Sequence, residues 1–229
     1  PENVTSFGEN VFRGCINVTN ITLPFVGKSA TSTGSYGRFG YIFGTDPTGE
    51  TNKYVPTKLT TVTITGSTSI GSSAFYRCEN ITTLTIPNTI KSIGDNAFYN
   101  ASGLENVYFN GTIEEWTKVK LTDADSNPKY YADHIHFRNS NNEYYEIKEL
   151  VIASDITTIG SYQFYNFDTI TSIVVPENVT SFGSYVFYGC TNVTNITLPF
   201  IGNTLNGTTS TYFGCIFGTD PTGYTNKYV

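Results

Sequence analysis

The chain repeats itself with a constant step of 23, and that interval leaves few folds open: Gly71 recurs as Gly94, Phe75 as Phe98 and Phe164 as Phe187. Aligning residues 85–109 with 174–198 gives a shared template, Pro-x-x-Val/Ile-x-Ser-Ile/Phe-Gly-x-x-Ala/Val-Phe-x-x-Cys/Ala, which ends in a spaced apolar triplet; residues 1–23 fit it too. A fixed period of this length marks stacked units that bury their apolar faces only against their neighbours.

Each unit closes on apolar-x-x-apolar-x-apolar: Val18/Ile21/Leu23, Leu59/Val62/Ile64, Ile81/Leu84/Ile86, Leu104/Val107/Phe109, Ile147/Leu150/Ile152, Ile170/Ile173/Val175 and Val193/Ile196/Leu198. Their β-branched content and final alternation predict seven short strands. A chain that returns in one direction once per repeat makes neighbouring strands parallel, so the expected fold is a mainly β solenoid. The Ile-Gly-x-x-Ala-Phe stretch must cross the opposite face, with Gly at a tight bend, Phe inside, and one helical turn over 95–98.

Two steps are longer. From Ile21 to Val62 the step is 41, and the extra stretch keeps Phe39-Gly40 and Ile42-Phe43 as a compressed crossing segment. From Val107 to Leu150 it is 43. That stretch contains Thr112 and Glu115, spaced as a capping box for a helix of about two turns, and then 134–139 and 143–152, which read as a hairpin across the polar 140–142. The chain is therefore one solenoid: repeat 1–23, enlarged rung 24–58, repeats 59–109, insert 110–146, repeats 147–198, and the start of a second enlarged rung over 199–229. A longer period lies above the short one, because residues 2–8 recur at 177–183, a step of 175. The chain opens and closes mid-pattern and reads as a fragment with open ends, so end-to-end self-contacts are expected.

With 13 Lys and Arg against 19 Asp and Glu, the net charge of −6 argues against nucleic acid, whose affinity rests on cations meeting phosphates. No apolar run reaches the length of a bilayer span, so no membrane insertion is expected. Nothing resembles paired catalytic carboxylates, a Ser-His-Asp set or a cofactor-binding motif, and the expectation is a protein that is not an enzyme and needs no cofactor.

Residues 70–87, Ile-Gly-Ser-Ser-Ala-Phe-Tyr-Arg-Cys-Glu-Asn-Ile-Thr-Thr-Leu-Thr-Ile-Pro, resemble the BspA-type leucine-rich repeat, and the resemblance covers nearly the whole chain. It implies a bacterial surface or secreted protein, located extracellularly or on the cell surface, in a family whose studied members adhere to host matrix or cell-surface proteins. The partner would be such a protein or a glycan. A structural spacer or stalk is the alternative, favoured by the long duplicated block. The family offers no motif that transfers a ligand residue by residue.

Between the apolar positions, strand residues face outward on the concave side. The penultimate column reads Thr22, Thr63, Thr85, Tyr108, Val151, Val174, Thr197, so Tyr108, Val151 and Val174 interrupt a hydroxyl surface. Flanked by Glu105, Lys148 and Glu149, they form the candidate protein contact; the bland reading is that β-branched residues suit a sheet, or that the hairpin covers them. Cys15, Cys78 and Cys190 share one template position and read as small, buried, free core residues. Asp123, Asp125 and Asn127 are spaced like the start of a calcium loop but lack its later Gly and Glu. His134 and His136 share a strand face without a third ligand. The Gly-Thr-Asp-Pro-Thr-Gly copies at 44–49 and 218–223 read as turns, and the Asn-x-Ser/Thr sequons as Asn and Thr richness.

Overall fold

The computed structural model describes residues 3–44, 52–208 and 211–218. In chain order its strands are β1 (Asn20–Leu23), β2 (Thr61–Ile64), β3 (Ser69–Ile70), β4 (Thr83–Ile86), β5 (Ser92–Ile93), β6 (Asn106–Phe109) and β7 (Lys120–Leu121). There follow β8 (His134–Arg138), β9 (Tyr144–Tyr145), β10 (Glu149–Val151), β11 (Thr158–Ile159), β12 (Ser172–Val174), β13 (Ser181–Phe182) and β14 (Asn195–Thr197). Among the described residues one α-helix, α1, covers Ile113–Thr117.

All seven triplets form strands, and these pair in parallel in the template register. Ile21 lies opposite Val62, Val62 opposite Leu84 and Leu84 opposite Val107, while Leu150, Ile173 and Ile196 align in the second half. The register follows from burial: a slip by one residue would turn the whole apolar set into water. The five inner triplets are buried throughout, whereas Val18, Ile21, Val193, Ile196 and Leu198 are only half-buried, the rungs that carry them having one neighbour among the described residues.

The Ser-Ile/Phe-Gly stretch makes a second wall of very short strands, in the orders β3-β5-β7 and β11-β13. Behind it the crossing segment stacks phenylalanines along the axis: Phe39 on Phe75 at 5.2 Å, Phe75 on Phe98 at 5.6 Å, and Phe164 on Phe187 at 5.7 Å. Burial of each such ring stabilises the stack by roughly 1.5–3 kcal/mol.

The crossing differs from expectation in two respects. Residues 95–98 form no helical turn; the path is bent by left-handed residues, Asn96 and Asn100 in that unit, Ser73 and Arg77 in the one before. At two template positions a close approach between rungs, rather than a bend, requires Gly. A Cβ on Gly94 would sit 2.7 Å from the Ser72 nitrogen and one on Gly183 2.2 Å from that of Ser161, so Gly lets consecutive rungs approach.

Among the described residues the first enlarged rung adds no strand, and β1 pairs directly with β2. Its Phe39, Ile42 and Phe43 are buried as a crossing segment in 3-10 conformation, and buried Asn52 locks it down: Gly40 N–H donates to Asn52 Oδ1 at 2.6 Å, and Asn52 Nδ2 donates to the Tyr76 carbonyl at 2.8 Å.

The insert departs furthest from the sequence reading. Thr112 and Glu115 do form the capping box, but α1 has five residues, short of two turns. Lys120–Leu121 joins β5, and His134–Arg138 joins β6 in parallel, so the insert is a complete extra rung with Ala132, Ile135 and Phe137 as its own buried triplet. The hairpin is shorter than expected. Only Tyr144–Tyr145 folds back on Phe137 and Arg138; Glu149–Val151 belongs to the next sheet.

As a result both walls are interrupted at one level, between the insert and the rung of β10 and β11. The apolar core runs through regardless, with Phe137 against Phe167 at 6.1 Å. Polar side chains replace the missing ladder. Asn127 Nδ2 donates to the Tyr162 carbonyl at 2.8 Å, and buried Lys129 meets Asp168 Oδ1 at 3.0 Å.

All four cysteines are free, and Cys78, Cys190 and Cys215 are buried. Cys15, expected to be buried, is exposed, because no described rung covers the outer side of the unit that carries it.

Candidate functional site

The outward-facing column is built by strand alternation and reads Thr22, Thr63, Thr85, Tyr108, His136 along one sheet, then Val151, Val174, Thr197 along the other. His136 is the residue that sequence reasoning missed; the extra rung places it between Tyr108 and Val151. The six candidate residues therefore fall into two groups. Glu105 and Tyr108 sit on the six-stranded side, Lys148, Glu149, Val151 and Val174 on the three-stranded side.

On the first side Tyr108 stacks on His136 at 4.6 Å and meets the edge of Tyr144 at 4.7 Å. Arg138 lies 3.8 Å over the Tyr144 ring, within cation–π range, and its Nη2 donates to Asn110 Oδ1 at 3.2 Å, an oxygen that also accepts from the Tyr144 hydroxyl. Tyr108 is half-covered as a result. Burial holds His136 below the ordinary histidine range, with Glu146 opposing and His134 reinforcing that shift.

The second group is open. Val151 is 58% exposed and its partner across the ladder, Val174, 38% exposed, with Lys148 and Glu149 exposed beside them.

The other sequence candidates are engaged structurally. Asp123 Oδ2 accepts from Asn96 N–H at 2.9 Å, Asp125 Oδ1 from the Tyr131 hydroxyl at 2.8 Å, and Asn127 Oδ1 from Lys129 N–H at 3.0 Å. His134 Nδ1 is 2.9 Å from Glu146 Oε1, and His136 Nε2 3.3 Å from Asn106 Oδ1. Among the described residues no three metal-ligating side chains gather. The turns at 45–49 and 219–223 lie outside the described residues.

A second feature also went unread. Tyr follows the template Phe in four units, and those rings stack in two pairs: Tyr76 on Tyr99 at 5.1 Å and Tyr165 on Tyr188 at 4.8 Å, with Tyr130 of the insert tilted against Tyr165 at 5.3 Å. Within each group the facing sides of the rings cover one another.

The profile of the BspA-type leucine-rich repeat region matches six times, over residues 1–36, 50–124 and 136–216. The chain belongs to the BspA-type leucine-rich-repeat family. The BspA-type match leaves out residues 37–49 and 125–135, which lie in the enlarged rung and in the insert. Solved structures similar to it include the leucine-rich-repeat protein of T. pallidum (16% identity, 58% of this chain and 68% of that one, TM-score 0.35). Another is a leucine-rich-repeat protein from Bacteroides ovatus (19% identity, 84% and 58%, TM-score 0.36). A third is the pneumococcal vaccine antigen PcpA (12% identity, 82% and 62%, TM-score 0.34). The BspA-type chain thus spans 58% of the length of the Bacteroides protein and 62% of PcpA. No curated protein matches it significantly. Among the described residues no helix is long and apolar enough to cross a membrane.

Proposed function

We propose that this chain is a non-catalytic module of a secreted or surface-attached bacterial protein, binding a host matrix or cell-surface protein, or a glycan, through its concave face. The observation that carries this reading is the exposed pair Val151 and Val174, adjacent on the ladder and bordered by Lys148 and Glu149. An apolar centre with a charged rim is what a protein contact uses, and the Tyr108, His136, Tyr144 cluster extends it with aromatic area.

The test is surface plasmon resonance of the chain over immobilised matrix proteins and a glycan array, with Val151→Arg/Val174→Arg as the variant. Binding at micromolar levels that falls about tenfold or more in the variant supports the reading. A partner held equally well by the variant removes the concave face from consideration, and no binder at all leaves the spacer. The duplicated block favours that second reading, since repeated rigid blocks add length.

A further inference from the structure

Asn100 and Asn166 hold the same template position, two residues after the crossing Phe, and both are left-handed. Asn100 spends its amide on the rung before it, Nδ2 donating to Glu79 Oε1 at 2.8 Å. For Asn166 the rung before is the insert. Counted back from the triplet openers Ile81 and Ala132, Tyr130 stands there in place of Glu79, and its ring tilts against Tyr165. The Asn166 amide is therefore left without a hydrogen-bond partner among the described residues.

Asn166 borders a groove of about 540 Å³, lined also by Lys129, Asp133, His134, Asp168 and Thr191, on the side from which the strands start. That volume lies within the range of small-ligand sites. Three more polar groups around it make no hydrogen bond within the described chain: the Asp133 carboxylate, the second oxygen of Asp168 and the Thr191 hydroxyl. At its base the charge of buried Lys129 is already balanced, since Nζ donates to the Asp133 carbonyl at 2.8 Å and meets Asp168 Oδ1 at 3.0 Å. His134 is likewise taken by Glu146. With Asp133 and Asp168 against one lysine, the groove repels anions.

We infer that this groove is a second binding site, distinct from the Val151 and Val174 contact, and that it takes a short neutral oligosaccharide. The unspent groups are two carboxylates that only accept, an amide that donates and accepts, and a hydroxyl that does both. A ligand that meets all of them must donate and accept at closely spaced points without carrying charge, which is what the hydroxyls of a sugar ring do. Tyr130, also in the lining and 38% exposed, adds aromatic surface for the apolar face of such a ring. Asn166 is held in place for this role, because Gly189 beside it leaves the room that a Cβ would deny to Asn166 Oδ1.

The experiment titrates the full chain calorimetrically with mannotriose, N-acetylchitotriose and lacto-N-tetraose, with sialyllactose and trilysine as anionic and cationic controls, and maps any bound saccharide by amide hydrogen exchange. Saturation by a neutral saccharide, with protection over 129–134 and 165–168, supports the site. Asp133→Ala is expected to weaken that binding about tenfold, the loss of one hydrogen bond to a charged group. Lys129 takes only the carbonyl of Asp133, and the exposed carboxylate holds nothing within the chain, so the variant keeps the fold. No saturation by any of the three at millimolar concentration, tighter binding of sialyllactose or trilysine, or equal binding by Asp133→Ala overturns the inference. So does protection over 149–151 and 172–174 instead, which would move the saccharide to the Val151 and Val174 contact.

Discussion

Trp116 and Gln163 hydrogen-bond each other reciprocally: the indole Nε1 donates to the Gln163 carbonyl at 3.1 Å, and Gln163 Nε2 donates to the Trp116 carbonyl at 2.6 Å. Both residues are buried, and the pair bridges the level at which both walls of the solenoid are interrupted. Where backbone ladders stop, a side-chain amide takes over their role.

Gln163→Leu keeps the volume but removes one of the donors to the Trp116 carbonyl, which still accepts from Val119 N–H at 2.9 Å. The expected cost is about 0.5–1.5 kcal/mol in urea denaturation, the usual net contribution of one hydrogen bond. Amide exchange should also show residues before 140 and after 147 opening separately in the variant, whereas the parent opens as one unit; identical exchange in the two would contradict the bridging role.

Two lysines cross the same level, and burial rather than distance ranks them. Lys118 meets Asp155 at 2.6 Å, but both side chains are more than half exposed, so Lys118→Ala should leave the denaturation midpoint unchanged. Lys129 is 5% exposed, donates to the Asp133 carbonyl at 2.8 Å and pairs with Asp168 at 3.0 Å. Lys129→Ala is expected to cost about 1–3 kcal/mol, discounted because Asp168 is half exposed.

Thiol titration with a disulfide reagent should find one fast-reacting cysteine in the native chain, Cys15, and the other three only on unfolding. Exposure decides this, since Cys78, Cys190 and Cys215 are 8% exposed or less. Cys15→Ser should abolish the fast phase.

Alkaline pH should destabilise the fold through its buried thiols. Burial pushes Cys78 well above its ordinary value of 9.0 and Cys190 up to about 12. With folded values raised, the unfolded chain loses these protons first. The contribution is complete below pH 9 and is lost as pH rises from there toward 12, at about 1.4 kcal/mol per pH unit for each thiol. Stability measured from pH 8 to 11 should fall less steeply in Cys78→Ala/Cys190→Ala than in the parent.

Much of the fold was legible in the residues. The constant step and seven triplets specify parallel rungs, because only stacking hides apolar side chains that recur at the same place in each turn. The extra rung was not, since Ile135 follows Val107 at a longer step than the repeat and its triplet opens with the small Ala132, so neither the interval nor the pattern announces it. Within the candidate site, alternation correctly turns Val151 and Val174 outward, but it could not place His136 beside Tyr108 or fold Tyr144 over both. Those contacts depend on a strand whose existence the periodicity does not encode.

By itself the sequence determined the repeat, the register and the inward face of every regular rung, since these follow from which positions must leave water. The tertiary structure alone decided where the ladder breaks and which polar side chains bridge the break. The physical reason is that these depend on what lies above and below a residue in the stack, and identical stretches such as 17–25 and 192–200 carry no record of their neighbours.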